Sequence, residues 1–191
     1  MYEVKTFKIP ELKGISAKTI EEHLKLYAGY VKHTNLILEK IKESTESYEI
    51  SEMRRRLGFE FDGMRNHEHY FAQLEGGTKE LDTNSSLSKK IDKDFGSGQA
   101  ALDNFKKVAS TRGVGWAILY YDKYNGQLIQ TWVDEQHIGQ LVGLEFIFGL
   151  DMWEHSYMLD YVPSEKMKYF DAYLENVNWQ VVERRFEKAT L

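Results

Sequence analysis

Asp151-Met152-Trp153-Glu154-His155-Ser156-Tyr157 sets a carboxylate and an imidazole four residues apart, with a second carboxylate beside the imidazole. Residues at that separation share one face of a helical turn. They also converge where a strand end runs into a helix. In either geometry one short segment offers a metal ion a carboxylate oxygen and an imidazole nitrogen. The same residues equally describe a packed Trp153, a partly buried His155 and a solvated Glu154. Asp-x-x-x-His arises often by chance, so its meaning depends on the rest of the chain.

The chain has 191 residues, 42% of them hydrophobic, and a net charge of −5 with both signs mixed along it. That length suits one large domain or two small ones with a true core. The charge leaves no basic footprint for nucleic acid. Cysteine is absent, which excludes disulfides and thiolate ligands. A metal therefore has to be held by His, Asp or Glu, a set that suits manganese, iron or zinc. Met1-Tyr2-Glu3-Val4-Lys5 lacks the apolar run of a signal peptide, and no stretch approaches the ~18 apolar residues of a membrane span. The expectation is a soluble cytoplasmic protein with neither a membrane nor a nucleic-acid partner.

Residues 1–14 read as an extended arm punctuated by Pro10 and Gly14. Ser16 is placed to cap a helix over 17–42, whose apolar positions recur at helical spacing and put His23, Tyr27 and Tyr30 on one face. A second helix is expected from about Ile50 to Leu74, interrupted by Gly58 and Gly63. On it His67 and His69, two apart, point to different sides. Residues 78–99 are rich in Ser, Lys, Asp and Gly and form the best candidate for a boundary, with a short helix near Leu87–Phe95. Another helix is expected over about Gly98–Thr111. The period then changes. Gly115–Tyr121 and Gln127–Val133 flank Asn125-Gly126, a strong hairpin signal. A third apolar run, Leu144–Leu150, ends just before Asp151. After it a helix is expected to carry the 151–157 stretch, with two more near Ser164–Asn176 and Trp179–Ala189. Helices, then a three-stranded antiparallel sheet, then helices read as α+β.

His23, His67 or His69, Asp151 and His155 thus lie on separate elements, and periodicity alone does not show that they meet. The motifs around them resemble the iron/manganese superoxide dismutase family over nearly the whole chain. Ile15–His23 is similar to that family's first-helix motif, and Asn66-His67-Glu68-His69-Tyr70-Phe71 to its second, in which the ligand follows the asparagine. Gly113–Trp116, Asp151–Tyr157 and Asn176–Trp179 resemble later motifs in the family's order. The resemblance implies an N-terminal helical hairpin domain over 1–84, an α+β domain over 85–191, and one manganese or iron ion between them. It assigns the ligands to His23, His67, Asp151 and His155, leaving His69 out. Trp116, Trp153 and Tyr70 would surround them. Glu154 would bond the partner's copy of His155 across a homodimer.

The implied reaction converts superoxide to dioxygen and hydrogen peroxide by alternate reduction and oxidation of the ion. In the family a glutamine or histidine donates to the solvent on the metal. Here the second-helix position for it falls near Gly63, which has no side chain, so Gln136 matches best, with His137 as the rival. That placement, together with Gly149 two residues before Asp151, is similar to manganese-type members and favours manganese. The chain departs from the pattern in two places. Tyr27 stands where a second first-helix histidine is usual, with Tyr30 at seven rather than eight residues after His23, and Met158 replaces a tyrosine that reaches across the dimer. The proton-relay role then falls to Tyr30 or to Tyr27. A two-metal carboxylate protein would need Glu-x-x-His pairs on helices; the chain offers none, only Asp134-Glu135-Gln136-His137. A non-catalytic metal-binding dimer of the same fold is the remaining alternative.

Overall fold

The computed structural model describes residues 1–191. The Ser16 hydroxyl accepts the Thr19 N–H at 3.2 Å, satisfying a donor that a helix start leaves free. Helix α1 follows over Ala17–Glu43 and buries Ile20, His23, Tyr27, Val31, Thr34 and Ile37 along one stripe. Helix α2, Ser47–Ala72, packs against it. It starts before the expected Ile50 and runs unbroken through Gly58 and Gly63. The two glycines are points of close approach rather than interruptions. A Cβ on Gly63 would stand 2.6 Å from Tyr30 Cδ1, and one on Gly58 would stand 3.2 Å from His137 Cδ2. Each glycine costs roughly 1 kcal/mol of helix propensity, and the packing it permits offsets that.

Strands β1 (Gly115–Asp122), β2 (Gln127–Asp134) and β3 (Glu145–Asp151) form an antiparallel sheet in the order β2-β1-β3. Gly126 turns β1 into β2 with φ +61°, a conformation glycine adopts without steric cost. Trp116 pairs with Asp151 in the register of β1 and β3, and directly opposed residues share a face. The indole and the carboxylate therefore project to the same side. Helices α3 (Ser86–Phe95) and α4 (Gly98–Ala109) pack against β1 and β2, α6 (Trp179–Ala189) against β3, and α2 also lies against β3. Helix α5 is Lys166–Glu175, preceded by a 3-10 turn at Pro163–Glu165. The architecture is α+β. No helix is long and apolar enough to cross a membrane.

The 151–157 stretch is not a helix. Asp151 is the last residue of β3, and Glu154–Ser156 make a single 3-10 turn. The local bonds explain the difference. Asp151 Oδ1 accepts the Trp153 N–H at 2.9 Å, and the Ser156 hydroxyl donates to the Trp153 carbonyl at 2.6 Å. These short-range bonds compete with the i to i−4 ladder and close the segment into a tight turn. The Asp-x-x-x-His pair converges in the second of the two geometries open from the sequence, with a 3-10 turn in place of the helix.

Candidate metal centre

Four donors from four places in the chain meet at one point. α1 supplies His23, α2 His67, the end of β3 Asp151, and the following turn His155. Their ligand atoms all lie within 4.8 Å of one another. Asp151 Oδ2 is the hub, with His23 Nε2 at 3.1 Å, His155 Nε2 at 3.1 Å and His67 Nε2 at 3.4 Å. His23, His67 and Asp151 are fully buried, while the His155 side chain keeps 20% of its exposure.

The protonation pattern shows what this cluster fits. His67 Nδ1 lies 2.6 Å from the Gly63 carbonyl. A carbonyl only accepts, so Nδ1 carries the proton and Nε2 presents a lone pair. That Nε2 is buried without any hydrogen-bond partner. Protonation does not relieve it, because burial, and then the neighbouring His23, push the His67 imidazole down to about 3. Burial likewise lowers His23. Burial opposes ionisation of Asp151, but the His155 and His23 imidazoles outweigh it and hold the carboxyl well below the usual range. A neutral nitrogen lone pair thus faces a carboxylate oxygen at 3.4 Å in a dry site. A cation between such donors removes the repulsion, and three imidazoles with one carboxylate suit iron or manganese.

Around the four donors the structure sorts the remaining candidates. The Trp116 ring centroid is 5.1 Å from that of His67, and its N–H donates to Gln136 Oε1 at 2.9 Å. Gln136 Nε2 donates to the Tyr30 hydroxyl at 3.0 Å, and the Tyr30 ring lies 5.0 Å from His67. Trp153 stacks on His155 at 5.5 Å, and Tyr70 lies 4.9 Å from His23. His137 is turned away, its ring against Phe59 and over Gly58. Tyr27 is fully buried, and its hydroxyl is spent on the arm, accepting the Lys5 N–H at 3.0 Å and contacting Glu68 at 3.3 Å. His69 stacks on Phe146 at 4.4 Å, outside the cluster. Glu154 is exposed beside His155. Gly149 is covered by the Phe146 ring, which a Cβ would strike, so the space at that position belongs to Phe146.

Two residues at the site carried no signal of their own in the sequence. Asn66 appears there only as the neighbour of His67, and Gln140 as one more polar loop residue. Both bond the Gln136 backbone. Phe59 also meets Tyr30, His137 and Trp153. Its helical spacing is indistinguishable from that of any core aromatic.

The family model described as iron/manganese superoxide dismutases, C-terminal domain, matches residues 83–185. The chain is 36% identical over 192 residues to a protein named superoxide dismutase [Fe] from Aquifex aeolicus (strain VF5), covering 95% of this chain and 89% of that one. It is 31% identical to a superoxide dismutase [Fe] of Pyrobaculum aerophilum, over 92% of this chain and 85% of the relative. Against superoxide dismutase [Mn] 2 of Haloferax volcanii the identity is 33%, over 85% and 82%. With matches of this extent to iron and manganese proteins alike, around a cluster of three histidines and one aspartate, the chain belongs to the iron/manganese superoxide dismutase family.

Proposed function

We propose that this protein is a superoxide dismutase, with one iron or manganese ion held by His23, His67, Asp151 and His155. The observation that carries the reading is the convergence of three imidazole nitrogens on the buried Asp151 Oδ2 at 3.1–3.4 Å. When bound, the ion supplies one-electron exchange, taking an electron from one superoxide and returning it to a second. Overall, two superoxide anions and two protons give one dioxygen and one hydrogen peroxide. The residues do the rest. The Gly63 carbonyl fixes the His67 ring with its lone pair facing inward. Asp151, held ionised, contributes negative charge that offsets the higher oxidation state.

Tyr30 is the phenol we assign to proton delivery. Burial, and then the Asp151 charge, raise its pKa, so it keeps its proton. It is only partly buried and contacts Gln136, whereas the Tyr27 hydroxyl is occupied by the arm. Gln136, rather than His137, is the amide we assign to the centre. Manganese is the better metal in this proposal, because that amide comes from the segment after β2 while the Gly63 position is filled by the Tyr30 ring. We further propose a homodimer in which Glu154 reaches the partner's copy of His155, and a division into 1–84 and 85–191.

The test is to load the apoprotein with each metal separately, then measure bound metal and superoxide consumption per ion. One ion per chain and activity in at least one form are expected, with manganese the more active. His155→Ala should lose both metal and activity. Metal uptake without superoxide consumption would instead support a non-catalytic metal-binding protein. An iron form several times more active than the manganese form reverses the metal assignment. Gly149→Thr, as a probe of the same question, has to be paired with a smaller residue at 146.

A further inference from the structure

We infer that Gln140 is a positioning residue that sets the depth of the Gln136 amide, acting through Asn66 and the Gln136 backbone. The inference rests on the proposed metal site and extends it.

The Gln136 side chain is held at both ends, its oxygen by the Trp116 N–H and its nitrogen on Tyr30. One N–H of that amide is left over, and both groups that hold the amide, Trp116 and Tyr30, pack against the metal donor His67. Where the amide stands depends on the backbone, and that backbone is irregular. Glu135, one residue earlier, has φ +51°, the only non-glycine residue with positive φ. Such a conformation persists only where its surroundings enforce it.

Four groups do so. The Glu135 N–H donates to the Val114 carbonyl at 3.0 Å, and the Trp153 indole N–H donates to the Glu135 carbonyl at 3.0 Å. The Gln136 carbonyl accepts two amide donors, Asn66 Nδ2 at 3.0 Å and Gln140 Nε2 at 3.2 Å. Gln140 Nε2 also donates to Asn66 Oδ1 at 3.2 Å, so the two amides brace each other. Gln140 Oε1 accepts the Tyr120 hydroxyl from β1, and the Gln136 carbonyl, which only accepts, fixes the other end of the amide as the donor. Asn66 immediately precedes His67 on α2. The brace therefore ties the loop carrying Gln136 to the helix carrying a metal donor. Gln140 bonds Tyr120, Asn66 and the Gln136 carbonyl and makes no hydrogen bond to the four donors.

An N–H aimed at the centre stabilises negative charge there, which accompanies the oxidised ion. Withdrawing it favours the reduced ion and raises the reduction potential. Gln140→Leu removes the donor to the Gln136 carbonyl and the acceptor for Tyr120. Gln140→Glu keeps the shape and the Tyr120 bond but replaces the donor.

The experiment titrates the metal-loaded full-length protein against redox mediators, following its visible absorbance, with metal content measured in parallel. Both variants should retain one ion per chain and show a higher midpoint potential than the parent. In a Gln136→Ala background, Gln140→Leu should cause no further shift, because the path through Gln136 is already cut. A purely structural role would lower the melting temperature and leave the potential alone. An unchanged potential in both Gln140 variants overturns the inference, as does an equal shift in the Gln136→Ala background. Should Gln140→Leu fail to fold, Gln140→Glu and Tyr120→Phe decide by the same criteria. A parent protein that binds neither metal overturns the functional proposal and this inference together, whereas a normal parent with insensitive variants overturns this inference alone.

Discussion

Gly63→Ala tests the packing that places Tyr30. The added methyl would stand 2.6 Å from Cδ1, 2.7 Å from Cε1 and 3.0 Å from Cγ of Tyr30. Optimal carbon–carbon separation is about 3.5–4.0 Å, so the ring has to retreat by about 1 Å. Rotation about the last torsion does not achieve this, because Cγ is itself too close. The whole side chain or α1 must move, and His67 and Gln136 both contact that side chain. Overpacking of this kind costs about 1–3 kcal/mol. Loss of the Gln136–Tyr30 hydrogen bond adds about 0.5–1.5 kcal/mol. The better helix propensity of alanine returns about 1 kcal/mol. The net is a destabilisation of about 2 kcal/mol, or roughly 4–8 °C in melting temperature for a chain of this size. Denaturant titration and calorimetry of the apoprotein measure it without the contribution of bound metal. Tyr30→Ala supplies the control, since Gly63→Ala in that background should be neutral or stabilising by up to about 1 kcal/mol. A Gly63→Ala protein as stable as the parent, or an equal loss in both backgrounds, refutes the packing.

Tyr30→Phe should slow superoxide turnover and alter its pH profile. Tyr27→Phe should instead loosen the N-terminal arm at a cost of about 1 kcal/mol with little kinetic effect; unchanged kinetics in both variants removes the proton-delivery role. His69 carries a pH signature away from the metal donors, because burial, and then Arg185, push its imidazole down to about 3. A histidine with a depressed folded pKa binds fewer protons folded than unfolded. Its contribution is present above the unfolded value near 6.5 and is lost as pH falls from there toward about 3, with a slope of up to about 1.4 kcal/mol per pH unit. His69→Gln should flatten the acid limb of the stability curve by that much and leave metal content near normal. Glu154→Ala should weaken self-association in light scattering at micromolar protein; a fully active monomeric parent contradicts the dimer.

Much of this protein is legible without coordinates, for local reasons. Ser16 caps α1 through a bond to a residue three positions on, and Gly126 closes the four-residue loop between β1 and β2 in a positive-φ conformation that glycine accepts without steric cost. The period change at Gly115 marks the sheet. The order of the motifs carries the family, and with it the expectation that His23, His67, Asp151 and His155 stand together. Tertiary structure alone decides among residues that share a stripe. Tyr27 and Tyr30 follow His23 by four and seven positions and lie on one helical face, so periodicity treats them alike. The arm meets the first and Gln136 the second. Gly63 reads equally as a bend in a helix or as room for close packing until the Tyr30 ring is seen to fill its place. Gln136 bonds Trp116 and Tyr30 while His137 packs on Phe59, beside a positive φ at Glu135 whose surroundings, Val114, Trp153, Asn66 and Gln140, come from other parts of the chain. Contacts between residues distant in sequence depend on where whole elements pack, and no short window of residues contains them.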